Sequence, residues 1–397
     1  MAGQSPLDMM QAAPRRPPKR SARRRRLWPL YTLATVIVLA VGWSWLWYYA
    51  AAIADRALTG WVAREAENGR IYACGTQSIG GFPFGIVSRC TQAAAAFNSY
   101  RPPFAVSATD VTFSAQVFRP TLLTGTITGP VTLADPGQPP LYVATWTRAQ
   151  IRLLGLPPEP EGVFVTLAAP RLDRVAGPAA GSLFTADQVE FDGRIVAGTA
   201  RHNPVLEAVG HFTAASAPTV HPLLAEPLRG DVDFVLKGFP DFDPKPWPVL
   251  FRQMQASGGG IEIKALRLER SDAIIAGTGT LNLNERGKLD GLISVTVAGI
   301  ENIVPLLGLD QLIGQGVDRL TGGSGSSAQG LGALDRLMPG LSNVVREGTN
   351  ASLIETIKKM GEPSEIDQKP AVILPLRVAD GVVYLGLIPL GVLPPLF

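Results

Sequence analysis

An uncharged stretch of 28 residues near the N-terminus, Leu27 to Ala54, constrains this chain more than any other feature. A helix needs about 20 consecutive apolar residues to cross a membrane core. Aromatic side chains, which favour membrane interfaces, stand at both ends of the stretch, at 28 and 31 and again at 43–49. The stretch therefore predicts a transmembrane helix over residues 27–54. A cleaved secretory signal is the alternative, because small residues at 50–52 follow the apolar run, but signal cores usually span only about 7–15 residues.

The charges divide the chain into two parts. Residues 1–26 contain eight Arg and Lys side chains and one acid, Asp8, so this tail carries +7. The whole chain carries +3, so the remaining residues carry −4. Positive charge before a span keeps that end in the cytoplasm. We therefore expect a disordered basic cytoplasmic tail, a single-pass anchor in a bacterial inner membrane and a periplasmic main domain. The acidic balance of that domain gives no support to a nucleic-acid partner.

The chain has two cysteines, Cys74 and Cys90, and both follow the span. A pair in an oxidising compartment predicts one disulfide. Closing a loop of about 16 residues contributes roughly 3 kcal/mol through chain entropy. Two buried thiols are the alternative, whereas the spacing fits neither a redox Cys-x-x-Cys motif nor a zinc site.

From Gly69 onward, short alternating segments separated by Gly and Pro predict β structure. In Asp231–Leu236 the apolar side chains at 232, 234 and 236 share one face and the acids at 231 and 233 take the other, which is typical of a half-buried antiparallel strand. Strands do not alternate with helices along the chain, so the sequence does not predict a parallel sheet. We expect a mainly β fold class: one transmembrane helix followed by an extended, curved antiparallel sheet, able to form a groove, with a helical insert.

Changes of pattern divide the chain into five parts. These are the basic tail (1–26), the span (27–54), an exported β-rich domain that starts with a short helix at 55–68 (55–299), a helical segment with a Gly- and Ser-rich loop (300–361), and a C-terminal β-hairpin with an apolar tail (362–397). Asp380-Gly381 between apolar runs predicts the turn of that hairpin. Prolines exclude the last ten residues from a central strand.

The sequence contains no motif for catalysis. It has no phosphate-binding glycine loop, no His-Glu-x-x-His and no Gly-x-Ser-x-Gly. His202, His211 and His221 are nine and ten residues apart, which does not suit zinc ligands. We interpret Asp241 and Asp243, in a proline-rich segment, as turn residues rather than as an acid–base pair. We therefore expect no enzyme activity, no cofactor and no metal.

The most specific local motif is Gly80-Gly81-Phe82-Pro83-Phe84, between the two cysteines. Glycine allows positive φ and proline fixes φ, so the motif predicts a tight turn. We expect it at the tip of a disulfide-linked hairpin, with Phe82 and Phe84 anchored in a core.

Several of these features together resemble a known family. They are the basic tail, the single span, the Ile79–Val87 segment, the paired cysteines and the terminal Leu374–Gly391 segment. The chain resembles, over about residues 40–397, a family of uncharacterised alphaproteobacterial membrane-anchored proteins, the domain-of-unknown-function family numbered 2125. A glycine-rich hairpin at 277–291 is more loosely similar to AsmA-like and other periplasmic envelope families. The resemblance implies no known activity and no catalytic residues.

These observations together predict a non-catalytic envelope protein that binds or transfers a phospholipid or another envelope lipid. An antiparallel sheet that does not close leaves an apolar surface, which a lipid chain can cover. The candidate lipid-facing positions lie in a helix predicted at 303–313 and in the apolar tail: Leu306, Leu309, Ile313, Leu390 and Leu393. An ordinary core position is the alternative for each of them. The alternative functions are a structural scaffold that contacts other envelope proteins and an unrecognised hydrolase.

Overall fold

The structure is a computed structural model that describes residues 23–156, 158–178, 180–220, 222–243, 245–307, 350–386 and 388–397. Its contacts divide the chain into two units, Met1–Ala54 and Asp55–Phe397.

Helix α1 is a single helix of 45 residues, Arg23–Glu67. From Trp28 onward it is long and apolar enough to cross a membrane. The helix expected at 55–68 is present as the last part of α1, which continues without a break after Ala54. It ends where Gly69 adopts φ +76°, a conformation that favours glycine and stops a helix.

Twenty strands and three short α-helices follow among the described residues. The strands are β1 (Arg70–Ala73), β2 (Thr76–Gly80), β3 (Gly85–Phe97), β4 (Phe104–Gln116), β5 (Arg119–Ala134), β6 (Tyr142–Thr145), β7 (Arg148–Leu154), β8 (Gly162–Ala168), β9 (Arg171–Arg174), β10 (Gly181–Thr185), β11 (Gln188–Thr199), β12 (His202–Ala215), β13 (Leu228–Lys237), β14 (Gly260–Arg270), β15 (Ala273–Leu283), β16 (Leu289–Ala298), β17 (Glu362–Ile366), β18 (Lys369–Ala379), β19 (Val382–Leu385) and β20 (Ile388–Val392). The helices are α2 (Trp247–Ala256), α3 (Ile300–Ile303) and α4 (Asn350–Met360), with 3₁₀ turns at Pro222–Leu224 and Val304–Leu307.

All described strand pairs are antiparallel and belong to one sheet. The main ladder runs β2–β3–β4–β5–β7–β8–β11–β12–β13–β14–β15–β16–β18–β19–β20. A short branch, β6–β9–β10, leaves from β5. The prediction of a mainly antiparallel β fold after one apolar helix is confirmed, because almost every strand pairs with its neighbour in sequence through a short turn.

The sheet is curved. The hydroxyl of Tyr100, in the β3–β4 connection, donates to the carbonyl oxygen of Lys245, in the β13–β14 connection, at 3.5 Å. Five strands of the ladder lie between β4 and β13, so a flat sheet would hold these two strands roughly 29 Å apart at the usual spacing. The twist and bend of the sheet, together with the 22-residue connection 238–259, bring the two residues together.

The buried core lies at the C-terminal part of the sheet. There Val295, Val297 and Leu374 are buried beneath residues of the helical segment, among them Val304 and Ile357. Of the segment expected to be helical at 300–361, the structure describes α3, α4 and a 3₁₀ turn at Val304–Leu307, where a helix was predicted at 303–313. Residues 308–349 lie outside the described residues. β20 is an edge strand that pairs with β19, which agrees with the expectation that the proline-broken end is not a central strand.

Candidate functional site

One face of the curved sheet is apolar across eleven strands. Residues that are partners across two strands lie on the same face, so the register defines rows that cross the sheet. One row, which we call the apolar row, consists of Val111, Ile127, Gly125, Ile151, Val165, Phe191, Gly210, Val232, Leu266, Gly277, Val295 and Leu374. It contains no polar side chain from β4 to β18.

The opposite face is polar. One residue along each strand, the register defines a second row, the polar row: Thr112, Thr126, Gln150, Thr166, Glu190, His211, Asp231 and Arg267. His211 Nδ1 lies 2.5 Å from Asp231 Oδ1 within this row. The strict alternation gives the ladder one face that water solvates and one that it does not.

The apolar row is covered at one end and half-buried over the rest. At β16 and β18, Val295 and Leu374 are 9% and 7% exposed, because the helical segment packs on them. From β4 to β14 the large side chains of the row are only half-buried. Above Gly210 there is open space, since a Cβ built there would meet no atom within 4 Å.

On this face, two phenylalanine rings lie over the backbone of the glycines that are their partners on the next strand. Phe113 pairs with Gly125, and a Cβ on that glycine would lie 2.7 Å from the ring. Phe212 pairs with Gly230, where a Cβ would lie 2.1 Å from the ring. The rings therefore extend over backbone that only glycine leaves free.

The candidate lipid-facing residues of the sequence analysis lie at the C-terminal end. Leu390 packs, partly buried, against the helix-covered cluster, and Leu393 packs against the cluster of Leu281, Leu289 and Val378. Leu306 lies in the 3₁₀ turn Val304–Leu307, and positions 309 and 313 lie outside the described residues. Their lipid-facing role stays a prediction.

Sequence reasoning missed the apolar row itself. Alternation within each strand was visible, but the row depends on which residues of successive strands are partners. That register is set by turn lengths and by bulges such as the one between Asp233 and Phe234.

The disulfide prediction is confirmed. Cys74 and Cys90 are joined across a sequence separation of 16, with their Cα atoms 5.6 Å apart. The bond links the segment between β1 and β2 to the middle of β3, where Cys90 is the partner of Gln77. It fixes the first hairpin of the unit.

The Gly80–Phe84 motif forms a tight turn between β2 and β3, closed by a hydrogen bond from Gly85 N to Gly81 O at 2.9 Å. Gly81 has φ +99°, and a Cβ on it would lie 2.8 Å from the Gly85 oxygen, so the position requires glycine. The expectation that Phe82 and Phe84 are anchored in a core is wrong, because they are 53% and 59% exposed.

The titratable groups of the described residues form ion pairs and turns rather than a reactive cluster. Asp241 Oδ1 accepts hydrogen bonds from Asp243 N at 2.9 Å and from Lys245 Nζ at 2.7 Å, which confirms the turn interpretation for Asp241. The Lys245 hydrogen bond lowers the pKa of Asp241. Within the described ranges, no group of three or more His, Cys, Asp or Glu side chains is placed to hold a metal ion. Of the three histidines, His221 lies outside those ranges.

The fold defines a class of protein: one N-terminal helix that is long and apolar enough to span a membrane, followed by a large antiparallel β unit with one apolar and one polar face. The chain belongs to the family described as "Uncharacterized protein conserved in bacteria", domain of unknown function 2125, whose family model matches residues 47–394. No curated protein and no solved structure matches the chain.

Proposed function

We propose that this protein is a lipid-binding or lipid-transfer protein of the bacterial inner membrane, with α1 as an uncleaved anchor and the sheet in the periplasm. It has no catalytic step: the sheet holds acyl chains on its apolar face. The observation that carries the proposal is the apolar row, which remains half-buried from β4 to β14 while the opposite face is polar.

A half-buried apolar strip of this length leaves apolar surface that a ligand can cover. Contiguous apolar patches on soluble surfaces usually mark an interaction site. An acyl chain is a suitable cover because it is apolar along its length, is flexible enough to follow a curved sheet, and gains about 0.8 kcal/mol for each CH₂ removed from water. The open space above Gly210 provides room for it.

The anchor supplies the lipid source. The +7 tail before the span favours a cytoplasmic N-terminus, and the disulfide in the second unit agrees with an oxidising compartment beyond the membrane. The sheet is thereby tethered to a bilayer, which holds phospholipid at high local concentration.

A scaffold that recruits other envelope proteins by strand addition is less well supported. The C-terminal edge strand, β20, contains Pro389, and Pro394 and Pro395 follow it. Proline has no backbone N–H to donate to an added strand and is a common protection of sheet edges.

Site-specific photo-cross-linking in intact cells tests the proposal on the full chain. A photoreactive amino acid replaces Val165 or Phe191 on the apolar row, and in matched controls it replaces Thr166 or Glu190, one residue along the same strands but on the polar row. After irradiation the protein is purified in detergent, and mass spectrometry measures the adducts.

The proposal expects lipid adducts at 165 and 191 and few at 166 and 190. Equal labelling at all four positions, or protein adducts at 165 and 191, would contradict it. The second outcome would instead support the scaffold. A Gly210→Phe variant, which fills the open space, is expected to lower the lipid adduct at 191 severalfold while the protein stays folded.

A further inference from the structure

Four apolar side chains are exposed together at one end of the sheet. Phe82 and Phe84 belong to the β2–β3 turn, and Val117 and Phe118 to the β4–β5 turn; we call these four residues the aromatic tip. Their exposures are 53%, 59%, 40% and 75%. The two turns adjoin, since Val117 N donates to Phe84 O at 3.0 Å and the rings of Phe84 and Phe118 lie 6.0 Å apart.

Within the β unit, the tip lies towards the end that holds Asp55, the first residue of that unit. Three contacts join the last part of α1 to the first strands: Glu65 to Arg70, Trp61 to Tyr72 and Asp55 to Gln77. As the strand numbers rise, the helix numbers fall, so β1 and β2 run back along the helix towards residue 55, the first after the uncharged stretch.

Strand β2 then continues past Asp55. Gln77 Nε2 donates to Asp55 Oδ1 at 3.2 Å, and three more residues lead to Gly80 and the turn. At the usual rise, three residues extend about 10 Å. The headgroup layer on each side of a membrane is roughly 5–8 Å thick, so a strand that continues this far beyond Asp55 is long enough to cross it.

The composition of the tip suits this position. No charged residue occurs from Cys74 to Ser88 or from Val111 to Phe118. Arg119, exposed directly after Phe118, is placed to meet lipid phosphates. Aromatic rings flanked by a basic residue are typical of segments that enter the membrane interface.

We propose that the aromatic tip inserts into the periplasmic leaflet of the same bilayer that α1 spans, so that the β unit is held against the membrane at two places. This inference rests on the anchor of the proposed function but not on lipid binding by the apolar row. It deepens the role of a motif that was expected to be a plain turn.

The test measures the depth of the tip in the full chain, reconstituted in vesicles of phosphatidylethanolamine and phosphatidylglycerol. A Gln116→Cys variant carries an environment-sensitive fluorophore beside the tip and keeps all four apolar side chains. The native cysteines are joined in the disulfide, so the label is selective. A Ser99→Cys variant, labelled in the exposed β3–β4 connection at the other end of these strands, is the control.

Insertion predicts that the label at 116 is blue-shifted and is quenched by bromine on the lipid acyl chains, while the label at 99 is quenched by aqueous iodide. Adding Phe84→Ser and Phe118→Ser is expected to abolish the blue shift at 116 and leave 99 unchanged. Equal iodide quenching at both positions would overturn the inference. A failure of the anchor is distinguishable, because the protein would then not float with the vesicles.

Discussion

Glu65 and Arg70 form a buried ion pair at the corner where α1 ends and β1 begins. Arg70 Nη2 donates to Glu65 Oε1 at 3.0 Å, and Arg70 Nε donates to the second carboxylate oxygen. The two residues are 8% and 7% exposed and are the only charged residues that are buried among those the structure describes. The pair joins the end of the helix to the first strand and so fixes how the β unit starts.

Breaking this pair is expected to destabilise the protein strongly. Arg70→Ala leaves the Glu65 carboxylate buried without its partner, which lowers the free energy of unfolding by about 3 kcal/mol. Thermal unfolding of the detergent-solubilised full chain measures the loss. Arg171→Ala is the control, because its pair with Asp173 lies at the surface and is expected to contribute little to stability. Similar losses in both variants would contradict the prediction.

The disulfide allows two tests, one of the stability of the β unit and one of the side of the membrane on which that unit lies. Replacing Cys74 and Cys90 with serine is expected to lower the free energy of unfolding by about 3 kcal/mol, the chain-entropy value for a loop of this size. Alkylation of free thiols in intact cells is expected to find both cysteines oxidised. In a variant whose eight tail Arg and Lys residues are replaced with serine, a reduced fraction is expected, because the signal that orients the span is gone. Reduced cysteines in the unaltered chain would argue against export.

Two glycines on the apolar face are expected to respond in opposite ways to alanine. At Gly230 a Cβ would lie 2.1 Å from the Phe212 ring, so Gly230→Ala forces the ring to move and costs about 1–3 kcal/mol. At Gly210 the space is open, and Gly210→Ala is expected to be neutral or to stabilise by about 0.5 kcal/mol. Denaturant unfolding of the two variants compares them directly. Equal destabilisation would show that the space above Gly210 is filled.

Asp241 is expected to contribute stability that depends on pH. Because Lys245 lowers the pKa of Asp241, the ionised carboxylate stabilises the fold above its unfolded pKa, about 3.9. That contribution is lost as the pH falls through the lower folded value. Asp241→Asn is therefore expected to be less stable at pH 7, with a difference that shrinks below about pH 4. Asp243→Asn keeps the backbone N–H that serves this turn and is the control. A difference that stays constant with pH would contradict the assignment.

Periodicity and composition were enough to predict the apolar helix, the antiparallel β fold and the disulfide, because each depends on local pattern or on a single pair. They did not predict the apolar row, since alternation cannot say that Val165 is the partner of Phe191 or Gly210 of Val232. They also failed at Phe82 and Phe84. Large aromatic residues often lie in a core, whereas here both rings are more than half exposed, which the local pattern of the motif does not indicate.

The apolar row crosses the strands instead of following one, so its length depends on the number of strands in the ladder. Ten steps between eleven strands give a path of about 50 Å along the curve. Removing two neighbouring strands would shorten the path by about 10 Å and leave the alternation on either side intact, because each residue's face depends only on its place in its own strand. As in a repeat protein, length can change in modular steps while chemistry is kept. The length of the apolar row is therefore set by the number of hairpins rather than by residue identity.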